Sequence, residues 1–263
     1  MSTDARAGAT VAESELEVRI PSGAGTGGDQ DEEWCEVHRD GEVRRVRFHD
    51  YAEVFSIPGL YERLFHETLD CDSPRTVCSL LDRALRDGGV RAGDLTVLDV
   101  GAGNGMVGEQ LALLGAGAIV GIDIIEEAAV AARRDRPGVY EDYRVLDLTD
   151  VSVADRRDLR ERRFNCLTTV AALGFGDIPP AAFETAYDLV EQDGWVAFNI
   201  KEEFVDSDDA SGFAAMIRGG FDDEALELVA ESRYQHRLAV DGEPIHYVAM
   251  VARKRGELAA VAA

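Results

Sequence analysis

The stretch from Leu95 to Asp123, LTVLDVGAGNGMVGEQLALLGAGAIVGID, constrains this chain more than any other. Leu95 to Val100 is a short apolar run rich in β-formers and reads as a buried strand. It runs into Gly101-Ala102-Gly103-Asn104-Gly105, with glycine at alternate positions. Glycine there lets the backbone turn sharply and lets a ligand approach without meeting a Cβ. Gln110 to Leu114 continue as a helix, whose free N–H groups face back toward the turn and attract negative charge. Ala118 to Ile122 form a second strand, and Asp123 stands at its end. Strand, glycine turn, helix, strand and acid together form the unit that holds an adenosine-containing ligand.

Two adenosine ligands compete for this unit. Gly103-Asn104-Gly105-Met106-Val107-Gly108 matches GxGxxG, with Asp123 about twenty residues on, as a nicotinamide cofactor requires. Counted from Gly101, the first glycine after the strand, that spacing fails at Met106. Asp99 also lies in the strand end, where a carboxylate repels a pyrophosphate and suits a sulfonium or ammonium charge.

The surrounding sequence gives the frame. The chain has 263 residues, enough for one α/β domain with additions. Its net charge is -24 and only Lys201 and Lys254 are lysines, a balance that disfavours nucleic acid as a partner. Acidity with arginine over lysine is compatible with salt adaptation or with a high-GC genome. The sequence contains no apolar run of membrane-spanning length and no signal-peptide pattern, so neither membrane nor export is expected, and the expected location is cytoplasmic. Cys35, Cys71, Cys78 and Cys166 lack CxxC spacing and read as idle thiols, with no metal site.

Residues 1–31 are small, polar and acidic, and are expected to be a disordered tail, with Glu13, Glu15 and Glu17 in a solvated run. Residues 32–90 form an accessory hairpin, turning at Asp40-Gly41, followed by a helical cap. Within the cap, Pro58-Gly59 separates two short helices, and Ser73-Pro74 opens a third with Ser73 as N-cap. Residues 91–254 alternate strands and helices: a helix at Glu126–Arg134, a strand at Tyr143–Asp147, a helix at Val153–Arg162 and a strand at Phe164–Val170. Helix Ala181–Glu191, strand Trp195–Ile200 and helix Asp209–Arg218 follow. Two strand-like runs, Ala225–Ala239 and Ile245–Arg253, close the domain around Asp241-Gly242. Residues 255–263 are expected to be flexible.

VLDVGAGNG closely resembles the first motif of class I S-adenosylmethionine-dependent methyltransferases. Ile122-Asp123-Ile124, Val145-Leu146-Asp147-Leu148 and Thr168-Thr169-Val170-Ala171-Ala172-Leu173 resemble the second, third and fourth. Gly138-Val139-Tyr140, Val170 to Gly174 and Asp193 to Phe198 look like bacterial small-molecule methyltransferases related to the Williams–Beuren methyltransferase-like protein. The resemblance covers Tyr51 to Arg253. It implies a doubly wound seven-stranded α/β sheet of order 3-2-1-4-5-7-6, with an antiparallel C-terminal hairpin and an N-terminal helical cap.

The resemblance also implies S-adenosyl-L-methionine as cofactor and a small-molecule acceptor, with no metal. The residues it assigns to the cofactor are Asp99, Gly101, Ala102, Gly103, Gly105, Asp123, Ile124, Asp147, Leu148 and Thr169. Asp123 would accept from both ribose hydroxyls, Ile124 would lie on adenine, and Asp147 would accept from the adenine amino group. Asp177-Ile178-Pro179-Pro180 resembles the motif of amino-group methyltransferases, but Ile178 intrudes and Ala181 replaces the aromatic; helix initiation by the prolines explains it better. Tyr51 and Tyr61 are either contacts to the methionine end or cap core. His66, Glu202 and His246 are the candidate general bases, and no one of them stands out. A nicotinamide-dependent oxidoreductase and a cofactor-binding protein without turnover are the alternatives. Oligomeric state is left open.

Overall fold

The structure is a computed structural model that describes residues 16–25, 32–173, 178–203 and 212–258. Its centre is a seven-stranded sheet. The strands are β4 (Thr96–Val100), β5 (Ala118–Asp123), β6 (Asp142–Val145), β7 (Phe164–Thr169), β8 (Val190–Lys201), β9 (Leu226–Leu238) and β10 (Pro244–Lys254). Their order is β6-β5-β4-β7-β8-β10-β9. The first five pair in parallel, and β10 pairs antiparallel with both β8 and β9. This is the expected order, with the closing hairpin the sequence called for.

Alternation along the strands explains why both faces are covered. Val97 and Ile119 face α2 (Ser73–Asp87) and α3 (Met106–Leu114), joining Val77, Leu81 and Leu111 in one core. Leu98 and Val120 face the other way, into a core with Leu159 of α5 (Val153–Glu161), Phe183 of α6 (Pro180–Asp188) and Phe213 of α7 (Gly212–Asp222). Apolar residues on both faces are what a buried parallel strand requires. From β4 the chain runs outward through β5 to β6, then crosses back to β7 on the other side of β4, so the ends of β4 and β7 flank a topological switch point, the usual ligand crevice of such sheets.

A second sheet, β1 (Glu17–Arg19), β2 (Trp34–Arg39) and β3 (Glu42–Arg47), is antiparallel throughout. Glu17, read from the sequence as part of a solvated run, is instead in a strand, because its backbone pairs with His38 of β2. The rest of the expected tail, residues 1–15 and 26–31, lies outside the described residues. This sheet shares a core with the cap, where Cys35, Val46 and Phe48 meet Val54, Leu60 and Leu64. A buried ion pair, Arg237 Nη2 to Glu33 Oε2 at 2.5 Å, fastens it to β9.

The cap contains α1 (Tyr51–Ser56) and a π-helical turn, Glu62–Thr68, in which the Leu69 N–H donates to Leu64 O, five residues back. Asp72, not Ser73, occupies the N-cap of α2; the Ser73 hydroxyl turns inward to a buried network. Pro179 and Pro180 open α6, as the sequence suggests, while Asp177 lies outside the described residues. Helix α6 ends at Asp188 and β8 begins at Val190, earlier than the expected Trp195. The segment expected to be flexible from residue 255 is held as far as Leu258, which is buried in the core beside Ala225 and Leu226.

Candidate active site

A cavity of about 350 Å³ opens at the switch point, between the ends of β4, β5 and β7 and beneath the cap. The glycine turn forms its floor. Gly101, Gly103 and Gly105 have φ of +69°, +53° and +92°, backbone that side-chain-bearing residues rarely adopt. A Cβ on Gly101 would stand 3.0 Å from both Ala172 Cβ and Ile178 Cδ1. The Gly101 and Ala102 N–H groups both donate to Ile122 O, which locks the turn to β5.

Asp123 ends β5 and lines the cavity. Its Oδ2 accepts from the Gly103 N–H at 2.9 Å and its Oδ1 from the Ile125 N–H at 3.0 Å. Burial raises its pKa against these backbone donors, which favour the charged form. Each carboxylate oxygen keeps a lone pair for a diol. Ile124, 62% exposed, lines the same wall, as do Asp147 and Leu148. The Thr149 N–H and hydroxyl both donate to Asp147 Oδ1, and these bonds lower the pKa of this exposed acid.

Other expected residues stand elsewhere. Asp99 is 1% exposed and behind the cavity wall. Its Oδ1 accepts from the Thr168 hydroxyl and its Oδ2 from Tyr140 OH, both at 2.7 Å. Burial pushes its pKa up to about 6 against these two bonds. Any action of Asp99 on a ligand is therefore through its field and not by contact. Thr169 is fully buried, with its hydroxyl unpartnered, and the cavity is reached by the next residue, Val170. Gly105 shapes the turn without lining the cavity.

None of the three candidate bases lines the cavity. His246 is exposed on β10, and Glu202 pairs with Arg233. The Nε2 of His66 is buried without a partner, and burial lowers its pKa. The titratable side chains on the wall, among the described residues, are His49, Tyr51, Tyr61, Cys71, Asp123 and Asp147. The first four come from the hairpin end and the cap, where nothing in the sequence distinguishes them from core aromatics and idle thiols.

Two networks hold the site, and sequence reasoning missed both. In the first, Glu62 Oε1 accepts from Asn104 Nδ2 at 2.7 Å and from Arg136 Nη1 at 2.8 Å, and Arg136 also donates to Asn104 O. These bonds pin the cap to the glycine turn. The second runs behind the opposite wall. Asn199 Oδ1 accepts from the Ala171 N–H at 2.7 Å, and its Nδ2 donates to Tyr234 OH at 2.7 Å. Tyr234 OH lies 2.7 Å from Ser73 Oγ, which lies 2.5 Å from His236 Nδ1. Burial drives the His236 pKa down to about 3, so the imidazole is neutral. Tyr140 had a detectable signal: it packs against Gly108 and Gly121, where a Cβ would stand 2.5 Å and 3.0 Å from its ring.

The strand order, the switch-point cavity and its glycine turn with a following acid define a class I methyltransferase fold. A methyltransferase domain model matches residues 66–236, and the chain belongs to that family. S-adenosylmethionine is the cofactor expected of such an enzyme. No curated protein matches the chain. Among solved structures it is similar to a Thermoplasma acidophilum protein, with 19% identity, 68% of this chain and 85% of that chain covered, and a TM-score of 0.49. It is similar to magnesium protoporphyrin IX methyltransferase from Synechocystis with bound SAM, with 15% identity, 69% and 79% coverage and a TM-score of 0.46. An N-methyltransferase from Bradyrhizobium japonicum gives 17% identity, 69% and 95% coverage and a TM-score of 0.47. Among the described residues no helix is long and apolar enough to cross a membrane, and no group of His, Cys, Asp and Glu could hold a metal ion.

Proposed function

We propose that the chain transfers the methyl group of S-adenosylmethionine to a small-molecule acceptor. The observation that carries this reading is the cradle itself. At Gly101 a Cβ would fill space at the cavity floor, and one strand away Asp123 presents a carboxylate fixed by two backbone N–H groups. Asp123 holds the ribose diol, Ile124 and Leu148 enclose adenine, and Asp147 accepts from its amino group. The bound cofactor supplies an electrophilic methyl on a sulfonium, and the leaving sulfur keeps the electron pair. The chain's task is alignment: Val170 and Ala171, at the end of β7, shape the place where the acceptor's lone pair must point.

His49 is the imidazole among the described residues that line the cavity, and it is the proposed proton acceptor for a substrate that needs to lose one. The cavity lies under a cap, and the chain carries 51 acidic against 27 basic residues, which supports a small acceptor over nucleic acid or a membrane surface. Four buried, unpaired thiols support a cytoplasmic location.

Calorimetric titration tests the reading. S-adenosylhomocysteine is expected to bind in the micromolar range, near -8 kcal/mol, and NAD is not. Tight NAD binding without S-adenosylhomocysteine binding overturns it. Labelled cofactor incubated with extract of the source cell is expected to give a labelled small product. Cofactor binding with no label transferred favours instead a binding protein without turnover.

A further inference from the structure

We infer that the acceptor is an uncharged molecule with an apolar body, seated between the start of α2, the end of β7 and the start of α6. This rests on the methyl-transfer reading above. Cys71, Pro74, Val170, Ala171, Ile178 and Ala182 form that end of the cavity. None carries a formal charge at neutral pH; burial raises the Cys71 pKa and keeps its thiol protonated. The two acids on the wall, Asp123 and Asp147, stand at the ends of β5 and beyond β6, on the opposite side of β4 from β7.

The polar groups behind the acceptor end are already engaged. Ser73 Oγ is shared between His236 and Tyr234, and Asn199 is held between Tyr234 and the Ala171 N–H. The buried polar atoms without partners, among them Glu62 Oε2, Thr169 Oγ1 and His66 Nε2, belong to residues off the cavity wall. Among the described residues, that end presents apolar atoms and one thiol, and no charged group to receive a strongly hydrated one.

Charge excludes the other classes. Among the described residues no Lys or Arg lines the cavity. A carboxylate or phosphate would lose its hydration without a cationic partner. It would also approach a chain of net charge -24. Among the described residues, an ammonium would meet no acid at this end and would stand near the positive sulfonium of the cofactor. A neutral acceptor with an apolar face meets neither penalty.

A matched set of phenols tests this on the full chain. The protein is first saturated with S-adenosylhomocysteine, then titrated with p-cresol, 4-hydroxybenzoate or tyramine, which differ chiefly in charge. p-Cresol is expected to bind at least about ten-fold more tightly than either charged partner. Ile178→Arg, which places a cation on this wall, is expected to improve 4-hydroxybenzoate about ten-fold while weakening p-cresol. Tighter binding of either charged probe, or no binding of any of the three to protein that binds S-adenosylhomocysteine, overturns the inference and leaves the cofactor reading standing. So does an Ile178→Arg protein that binds S-adenosylhomocysteine and still rejects the carboxylate. Failure to bind S-adenosylhomocysteine at all overturns both.

Discussion

The two ends of the cavity are built by different means. The turn end is made of backbone: left-handed glycines, N–H groups donated to Ile122 O, and a carboxylate that accepts from Gly103 and Ile125. The opposite end is made of side chains from the start of α2, the end of β7 and the start of α6, and is backed by a chain of bonds through β8 and β9 between residues up to 163 apart in sequence. A backbone site tolerates little chemical change at its glycines and acids. A side-chain site can be repacked without moving the sheet. The first suits a cofactor of fixed shape; the second suits an acceptor that varies from one enzyme to another.

The largest effect should come from the turn. Gly101→Ala forces a Cβ into a backbone of φ +69° and to 3.0 Å from Ala172 and Ile178. It is expected to weaken S-adenosylhomocysteine binding about a hundred-fold, near 3 kcal/mol, with the protein still folded by circular dichroism. Across the cavity, Ala171 already sits at φ +57° with its N–H held by Asn199. Ala171→Gly relieves strain there and is expected to change that affinity less than about two-fold. Equal losses in the two variants would mean that the ends do not divide their work in this way.

That division also explains what could be read from sequence. Gly101, Gly103, Gly105 and Asp123 lie within one strand–turn–helix–strand unit, so spacing alone announces them. Alternation of strands and helices marked a doubly wound sheet and Asp241-Gly242 its closing pair, while the order of the strands came from the family resemblance of the motifs. Asp99 was legible as an acid at the strand end, but not its direction. Strand alternation turned it to Thr168, and the Tyr140 that closes over it arrives from 41 residues away. Thr169 lies off the cavity wall for a similar reason, since a one-residue step along β7 decides which face meets the cavity. The partners Asn199, Tyr234, Ser73 and His236 are polar residues scattered through three elements, and no local period marks them.

Asp123→Ala is the next test and a smaller one. If Asp123 accepts from the ribose diol as proposed, its removal is expected to cost about 1–3 kcal/mol in S-adenosylhomocysteine affinity. The same change frees the Gly103 and Ile125 N–H groups, so part of the loss is a looser turn. Asp123→Asn separates the two, because an amide oxygen still accepts from one of the N–H groups while its amino group cannot accept from a diol hydroxyl. An affinity unchanged in both variants would remove Asp123 from the site.

The smallest effect distinguishes the ends by the sign of their response to pH. Asp99 has its pKa raised from 3.8 to about 6, so between about pH 4 and 6 the folded form keeps a proton that the unfolded chain has released. Stability from this group is greatest below that window and falls as pH rises through it. His236 has its pKa lowered from 6.5 to about 3, so the unfolded chain holds the extra proton and stability rises with pH over the same window. Each slope is at most about 1.4 kcal/mol per pH unit, and the two oppose. Removing the aspartate charge should therefore expose the histidine. Relative to the parent, Asp99→Asn is expected to make the unfolding free energy from urea titration rise more steeply between pH 4.5 and 6, by about 1 kcal/mol per pH unit. His236→Gln is expected to tilt it by a similar amount in the other direction. Parallel curves for parent and both variants would show that neither burial penalty is felt. Tilts of the same sign would show that the groups do not titrate as their surroundings require.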